Sequence, residues 1–419
     1  TELIEKLLPD YRPRSIRTAV NSETRQLLQE ISEDLTGQLS STVAGIGDIL
    51  AEYQLTLAYQ KGRVKNAVED YTTTLGATCQ GSVSTEMLNT LSVMGENSIS
   101  FDTVIVDEAA RANPLDLFIP MSLARRRIVL VGDHYQLPQI LEPEIEKEMV
   151  ETGVLREQFA DSLKESLFER LYVQLREREK VDGVKRTVML DTQFRMHPEI
   201  GQFVSKQFYE NNGEPSLNSG LDRSHFEIDL PGFEDSVMHW VDVPNSLGHE
   251  SRPGSSWLRS VEAERVATLA ASIVEQCPKL SVGVITFYAR QREAIFEELE
   301  AKDICRRTDD GWEYEPGYVS TKEGDERIRV GSVDAFQGKE FDVVILSMTR
   351  SNNHSGLQES DLNKKFGFLR LPNRLNVAFS RAKKRIIAVG DRKMFTSNEA
   401  KIAMPSVYEY ASNLCGASK

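Results

Sequence analysis

No G-x-x-x-x-G-K-[ST] phosphate loop occurs in the 419 residues, and the one Gly-Lys pair, Gly338-Lys339, runs into Glu340 where a Mg²⁺-binding hydroxyl would be needed. A triphosphate bound to these residues alone would lack the lysine of such a loop and its nest of backbone N–H groups. Cysteine is scarce. Cys79, Cys277, Cys305 and Cys415 lie far apart, which excludes paired zinc-ligand spacing and a disulfide framework. A reducing, intracellular (cytoplasmic) setting is expected. No apolar run approaches the roughly 18 residues of a membrane-spanning helix, and no secretory apolar stretch opens the chain, so no membrane partner is expected. Internal repeats and low-complexity tracts are also absent. Positive charge is in deficit, with 50 Lys and Arg against 64 Asp and Glu for a net charge of -14. That disfavours broad coating of a phosphate backbone. It leaves room for a local groove with a few donors and stacking faces.

What is present suits a globular protein larger than one ordinary core. Hydrophobic residues make up 40% and charged residues 27% of the chain, and two domains are expected. Residues 1 to about 75 carry apolar positions at helical spacing, as in TELIEKLL and ETRQLLQEISEDL. From Tyr71 onward short β-branched runs end in polar clusters: FDTVIVDE, RRIVLVGD, RTVMLD, SVGVITF, FDVVILS and RIIAVGD. Such runs predict strands buried on both faces of parallel sheets, an α/β fold with functional residues at the C-terminal strand ends. Two sheets are expected, one ending near Pro138 and the next beginning near Thr187. Between them Glu142 to Lys185 has helical texture, while Asn211 to Ser256, rich in Gly, Pro, Ser and Asn, reads as a surface excursion.

Four segments carry chemistry. VIVDEAA (Val104 to Ala110) delivers Asp107 and Glu108 to a strand exit, where one carboxylate can hold Mg²⁺ and the other can orient and deprotonate an attacking water. Taken alone, an acidic pair there is more often a helix cap. VGDHYQLP (Val131 to Pro138) places Gln136 where a carboxamide can touch both a γ-phosphate and that water, or simply follow a Gly-Asp turn. QFRMHP (Gln193 to Pro198) offers the ring of Phe194 to an adenine and the fork of Arg195 to phosphate oxygens; His197 either meets a strand phosphate or shapes the turn. VDAFQGKEFD and the later RLNVAFSRAK supply Gln337, Gly338 and Glu340, the last able to accept from a ribose hydroxyl. They also supply Arg374 and Arg381, on one helical face by spacing. One arginine can act as a finger on transition-state charge, or the basic cluster can be a solvated helix end.

In order and wording these segments resemble motifs II to VI of superfamily 1B helicases, in the branch that includes the up-frameshift RNA helicase and Dna2-type helicases. The likeness extends to LGATCQGS (Leu75 to Ser82, similar to motif Ic), ESLFERL, VITFYARQ and SMTRSN with GFLRLPNRLNVA, and so spans about Leu75 to Asp391. It implies two RecA-like parallel-sheet domains: residues 1–186 as an incomplete first domain with a helical insertion at about 20–70, and residues 187–419 as the second. ATP and Mg²⁺ are the implied cofactors, with Asp107 as the Mg²⁺ ligand, Glu108 as catalytic base and Gln136 as γ-phosphate sensor. Phe194 would stack on adenine, Arg195 and Arg381 would meet the γ-phosphate, and Glu340 would hold the ribose. Single-stranded DNA or RNA is the implied partner, met at Thr78, Thr286, Tyr288, Arg350 and Asn352, with translocation 5′ to 3′. Because TELIEKLLPDYRPRSIRTA resembles the segment after motif Ia, the phosphate loop is expected from a missing N-terminal part of the same protein or from a partner chain. The polypeptide alone is then expected to be inactive as an ATPase. The alternative is a naturally truncated or split, non-catalytic nucleic-acid-binding or scaffold subunit.

Overall fold

The computed structural model describes residues 26–33, 73–85, 87, 101–137, 166–321 and 324–413. Most of the expected insertion at about 20–70, Pro138, Cys415 and the greater part of Glu142 to Lys185 lie outside the described residues. The chain separates into two compact units, Thr1–Val104 with Phe118–Arg127, and Ile105–Leu117 with Ile128–Lys419.

The two apolar runs nearest the N-terminus form strands β1 (Phe101–Val106) and β2 (Ala124–Leu130), which pair with each other. They are not buried on both faces as their sequence suggests, since Ile105 is 67% and Ile128 43% exposed. In the first unit the motif Ic segment makes a single 3₁₀ turn, Gln80–Val83, stapled by the Gly81 N–H donating to Thr78 Oγ1 at 3.0 Å.

The second unit is built on a parallel sheet. Short β3 (Thr192–Gln193) and β4 (Asn218–Ser219) pair outside it, and so do β7 (Cys305–Thr308) and β8 (Gly311–Tyr314). The main sheet comprises β5 (Met238–Asp242), β6 (Val282–Thr286), β9 (Ile328–Ser332), β10 (Phe341–Ser347) and β11 (Ala382–Gly390) in the order β5-β11-β10-β6-β9, every pair parallel. Alternation along each strand divides the interior into two cores. Val343 and Ile345 of β10 pack with Val282, Val284, Ile387 and Val389 beneath helix Ser260–Gln276, while Val344 and Leu346 join Ile285, Ile386, Phe366 and Phe379 on the other face. Side chains pointing both ways from a two-sided sheet explain the unbroken apolar runs.

Two expectations are corrected here. RTVMLD is not a strand: Val188 is 70% and Leu190 77% exposed, and ladder pairing starts only at Thr192. Its three apolar residues have no described core to enter. Conversely, the stretch from Asn211 to Ser256 is no mere surface excursion, because it contains edge strand β5 with Trp240 buried against the core.

Beyond the C-terminal end of β10 a carboxylate is sealed inside. Glu262, wholly buried, pairs with buried Arg259 at 3.3 Å and accepts from Ser347 Oγ at 2.7 Å and the Thr349 N–H at 2.6 Å. Those donors hold Thr349 in the left-handed region, at φ 63. Burial pushes the Glu262 carboxyl up to about 7 despite Arg259 and the two donors, which pull it down. A carboxyl raised on folding takes up a proton, so its contribution is complete below the ordinary carboxylate range and is lost as pH climbs toward 7. Thermal unfolding across this window should show the melting temperature falling with rising pH, and Glu262→Gln should flatten that slope; an unchanged slope would remove Glu262 as its source.

Candidate functional site

The exit of β1 is tightly built. Val131 donates to the Val106 carbonyl at 2.8 Å and Ala109 to the Val131 carbonyl at 2.8 Å, which buries Ala109 and Ala110 and leaves Asp107 and Glu108 exposed. Gly132 is required at this approach, since a Cβ there would stand 2.8 Å from the Ala110 nitrogen. Glu108 has φ 54, a conformation costing about 1–3 kcal/mol in a non-glycine residue and held here by neighbouring pairing, with its N–H on Asp107 Oδ1 at 3.0 Å. Ser166, heading helix Leu167–Asp182, donates to the Ala110 carbonyl at 3.2 Å.

Asp133 organises the following loop. It accepts from the Tyr135 N–H at 2.9 Å, from Gln136 Nε2 at 2.8 Å and from the Tyr209 hydroxyl at 2.5 Å. Burial, reinforced by Asp133, pushes the Tyr209 phenol well above its ordinary range. Helix Pro372–Phe379 grips the same loop, with Asn373 donating to the His134 and Gln136 carbonyls at 3.1 and 2.7 Å and Asn376 to the Tyr135 carbonyl at 3.0 Å. These two asparagines and Tyr209 were not among the residues picked out by sequence. Asparagine within RLNVA gives no local signal, because its role exists only in the tertiary contact.

Arg381 is 1% exposed. Its Nη2 donates to Gln136 Oε1 at 3.3 Å and to Ser380 Oγ at 3.0 Å, its Nη1 to the Lys339 carbonyl at 3.3 Å and its Nε to the Val377 carbonyl at 3.2 Å. Burial brings the guanidinium down to about 10, with Arg195 pushing the same way and Glu108, Tyr209 and Glu340 opposing. The structure thus brings Glu108, Gln136, Arg195, Glu340 and Arg381 into one electrostatic neighbourhood. Arg195 and Glu340 form an ion pair at 2.7 Å, both partly open to solvent. The candidate residues do not all follow strand C-termini: Glu340 and Arg381 immediately precede β10 and β11, side by side because the Phe341 N–H donates to the Arg381 carbonyl at 3.0 Å.

Phe194 is 64% exposed, and its ring lies so close over Gly220 that a Cβ there would stand 2.1 Å from a ring carbon. Gln193 shapes the turn, donating to the Met196 carbonyl and accepting from the Arg195 and Met196 N–H groups at 2.7–2.9 Å. Gln337 Oε1 is buried with no hydrogen-bond partner among the described residues, an acceptor that a ligand N–H would satisfy, and Gly338 has φ 74. Arg374 approaches Asp334 at 3.7 Å and stacks over Phe368 at 5.2 Å. No group of three or more His, Cys, Asp or Glu able to hold a metal occurs among the described residues. Asp107 supplies one carboxylate, which fits Mg²⁺ held mainly by phosphate oxygens and water.

Thr286, Tyr288 and Arg350 are turned inward. Thr286 faces Thr349 at 3.4 Å, the Tyr288 hydroxyl donates to the Phe366 carbonyl at 3.3 Å, and Arg350 forks onto Glu250 at 2.8 and 3.0 Å with Asn352 beside it. His197 caps helix Pro198–Val204, its Nδ1 accepting from the Glu199 N–H at 3.2 Å, and burial lowers its pKa. It lines a cavity of about 200 Å³ in which Glu199, Glu227, Glu234 and Asp235 face Arg223 and Arg385, a wall of mixed charge. Of its two readings, turn shaping is the one this geometry supports.

The AAA domain family matches residues 163–393, more than half the chain, and a second AAA domain family matches residues 10–141. The chain belongs to the AAA domain family. Relatives agree with the resemblance to superfamily 1B, up-frameshift-like helicases. A regulator of nonsense transcripts 1 homolog of Neurospora crassa is 31% identical over 72% of this chain and 24% of its own length. One of Arabidopsis thaliana is 30% identical over 94% of this chain and 26% of its own. The ATP-dependent helicase NAM7 of Saccharomyces cerevisiae is 30% identical over 71% of this chain and 26% of its own. The chain thus spans about a quarter of the length of these curated relatives. An arterivirus nonstructural protein 10 (helicase) structure covers 72% of this chain and 41% of its own at 14% identity, with a TM-score of 0.29, too low to bear on the fold.

Asp133 loses a charge-assisted hydrogen bond in Tyr209→Phe, and denaturant unfolding should show a loss of about 1.5–3 kcal/mol. A variant as stable as wild type would show that the Tyr209 hydroxyl does not hold the loop.

Proposed function

We propose that this chain supplies the carboxylate, sensor and arginine parts of an ATP-dependent nucleic-acid helicase or translocase moving 5′ to 3′. The reading is carried by the contact between buried Arg381 and Gln136, in the field of Glu108, Arg195 and Glu340. Phosphoryl transfer asks little covalent chemistry of a protein and much positioning and charge compensation. In the proposed mechanism Asp107 would hold Mg²⁺, which when bound would neutralise charge on the phosphate oxygens. Glu108 takes the proton of the attacking water, Gln136 orients that water, and Arg381 with Arg195 meets the γ-phosphate. Phe194 stacks on the base, Gln337 offers its orphaned carbonyl oxygen, and Glu340 leaves Arg195 to accept from the ribose.

The domain division belongs to the same proposal, with residues 1–186 in a first RecA-like domain and residues 187–419 in the second. Having no phosphate-loop motif, these 419 residues are proposed to hydrolyse ATP negligibly unless a loop is supplied from the rest of the protein or from a partner chain. Single-stranded DNA or RNA is the proposed track.

The test is ATP turnover by the complete protein with matched single-stranded RNA and DNA. Strand-stimulated hydrolysis is expected, lost in Glu108→Gln while ATP binding persists, and slowed on the order of 10³-fold in Arg381→Ala. Turnover near wild type in Glu108→Gln would remove the assigned base, and an unchanged kcat in Arg381→Ala would reduce that arginine to a structural clasp.

A further inference from the structure

Glu250 gathers the donors that a phosphate would otherwise attract. Besides the Arg350 fork it accepts from Asn352 Nδ2 at 3.0 Å and from the Ser351 N–H at 2.5 Å, and its side chain is 4% exposed. With Arg350 itself 1% exposed, this guanidinium is committed internally. Glu250 also anchors a hairpin. Its neighbour Ser251 exchanges both backbone hydrogen bonds with Leu258, at 2.7 and 2.9 Å, and Pro253 and Gly254, the latter at φ +73, turn the chain between them. On this hairpin the guanidinium of exposed Arg252 lies 5.5 Å from the Trp257 ring centroid, while that of Arg350 lies 4.2 Å from the same centroid. Exposed Arg290 is held alongside, its N–H on Ser256 Oγ at 3.2 Å. Among the described residues no carboxylate pairs with Arg252 or Arg290, a local reversal of sign in a chain of net charge -14.

We propose that this hairpin contacts a single nucleic-acid strand, with the Trp257 indole stacking on a base and Arg252 and Arg290 meeting adjoining phosphates. The proposal rests on the nucleic-acid reading above and moves the contact from buried Arg350 to exposed Arg252 and Arg290 and the half-buried ring of Trp257. An aromatic face between cations is the recurrent chemistry of sequence-tolerant strand binding. Glu250 serves it indirectly: by fixing Arg350 against the indole, it fixes the ring itself.

Binding of fluorescently labelled single-stranded oligo-dT and oligo-U to the full chain, followed by anisotropy at several salt concentrations, tests it. Trp257→Ala should weaken binding on the order of tenfold, whereas Trp257→Phe keeps a stacking face and should retain most of the affinity while losing strand-induced quenching of tryptophan emission. Arg252→Ala should reduce the salt slope by about one phosphate contact. Arg252 is exposed, so its variant reads the proposal even if Trp257→Ala fails to fold. Unchanged affinity, quenching and salt slope in variants of a wild type that does bind would overturn the hairpin contact and leave the nucleic-acid reading standing. A wild type that binds neither oligonucleotide would overturn both, the nucleic-acid reading first.

Discussion

A guanidinium taken out of water must find acceptors for its fixed fork of donors, and Arg381 finds them in four places. The Val377 carbonyl, the Lys339 carbonyl, the Ser380 hydroxyl and the Gln136 carboxamide come from the Pro372–Phe379 helix, the turn before β10, the residue that caps that helix and the loop after β2. Displacing any one would leave a buried donor unsatisfied, at a cost comparable to a lost hydrogen bond. The position of Gln136 relative to the turn that carries Glu340 is therefore a consequence of burying one charge, and Arg195 is joined to that turn through its own ion pair with Glu340. The pKa of Arg381, brought down to about 10, still leaves it cationic at neutral pH, so the field at the site survives the desolvation that creates it.

The opposite ends of the same strands use a similar device for a different purpose. Arg259 with Glu262 and Arg350 with Glu250 are nearly or wholly buried pairs beyond the C-terminal end of β10. Buried ion pairs give little net stability over apolar packing, but breaking one is expensive. Their effect is geometric. Glu262 holds Thr349 at its unusual φ, Glu250 holds the next three residues, and together they turn the chain leaving β10 sharply inward. That is why Arg350 points into the protein, and why the exposed cation of this region is Arg252, beside the half-buried ring of Trp257.

Sequence disclosed what is local and missed what is shared between distant segments. The central strands β6, β10 and β11 were legible because burial on both faces demands continuous apolar runs. Edge strands β5 and β9, read as MHWVD and IRVGS, have only one neighbour each in the sheet, carry polar residues and were overlooked. RTVMLD satisfied the pattern without being a strand, since β-branched composition cannot reveal whether a partner strand is available. Among site residues, the charged and aromatic members of the motifs were visible. Asn373, Asn376 and Tyr209 were not, because each acts on a loop more than 70 positions earlier, at His134, Tyr135, Gln136 or Asp133.

The orientation of the Gln136 carboxamide is fixed by chemistry on both sides. Asp133 can only accept, so it takes the amide NH₂; Arg381 can only donate, so it takes the oxygen. A flipped amide would set like groups against each other at both ends. Within the proposed function this has a consequence for catalysis. A γ-phosphate is an array of acceptors, and on arriving it would compete with Gln136 Oε1 for Arg381 Nη2. The oxygen thus released is an acceptor suited to a water proton, while Asp133 and the hydroxyl of Tyr209 keep the amide from rotating. A loop clasped by Asn373 and Asn376 would then feel the γ-phosphate through Arg381 and the helix that carries both asparagines, which links occupancy of the site to the position of that helix.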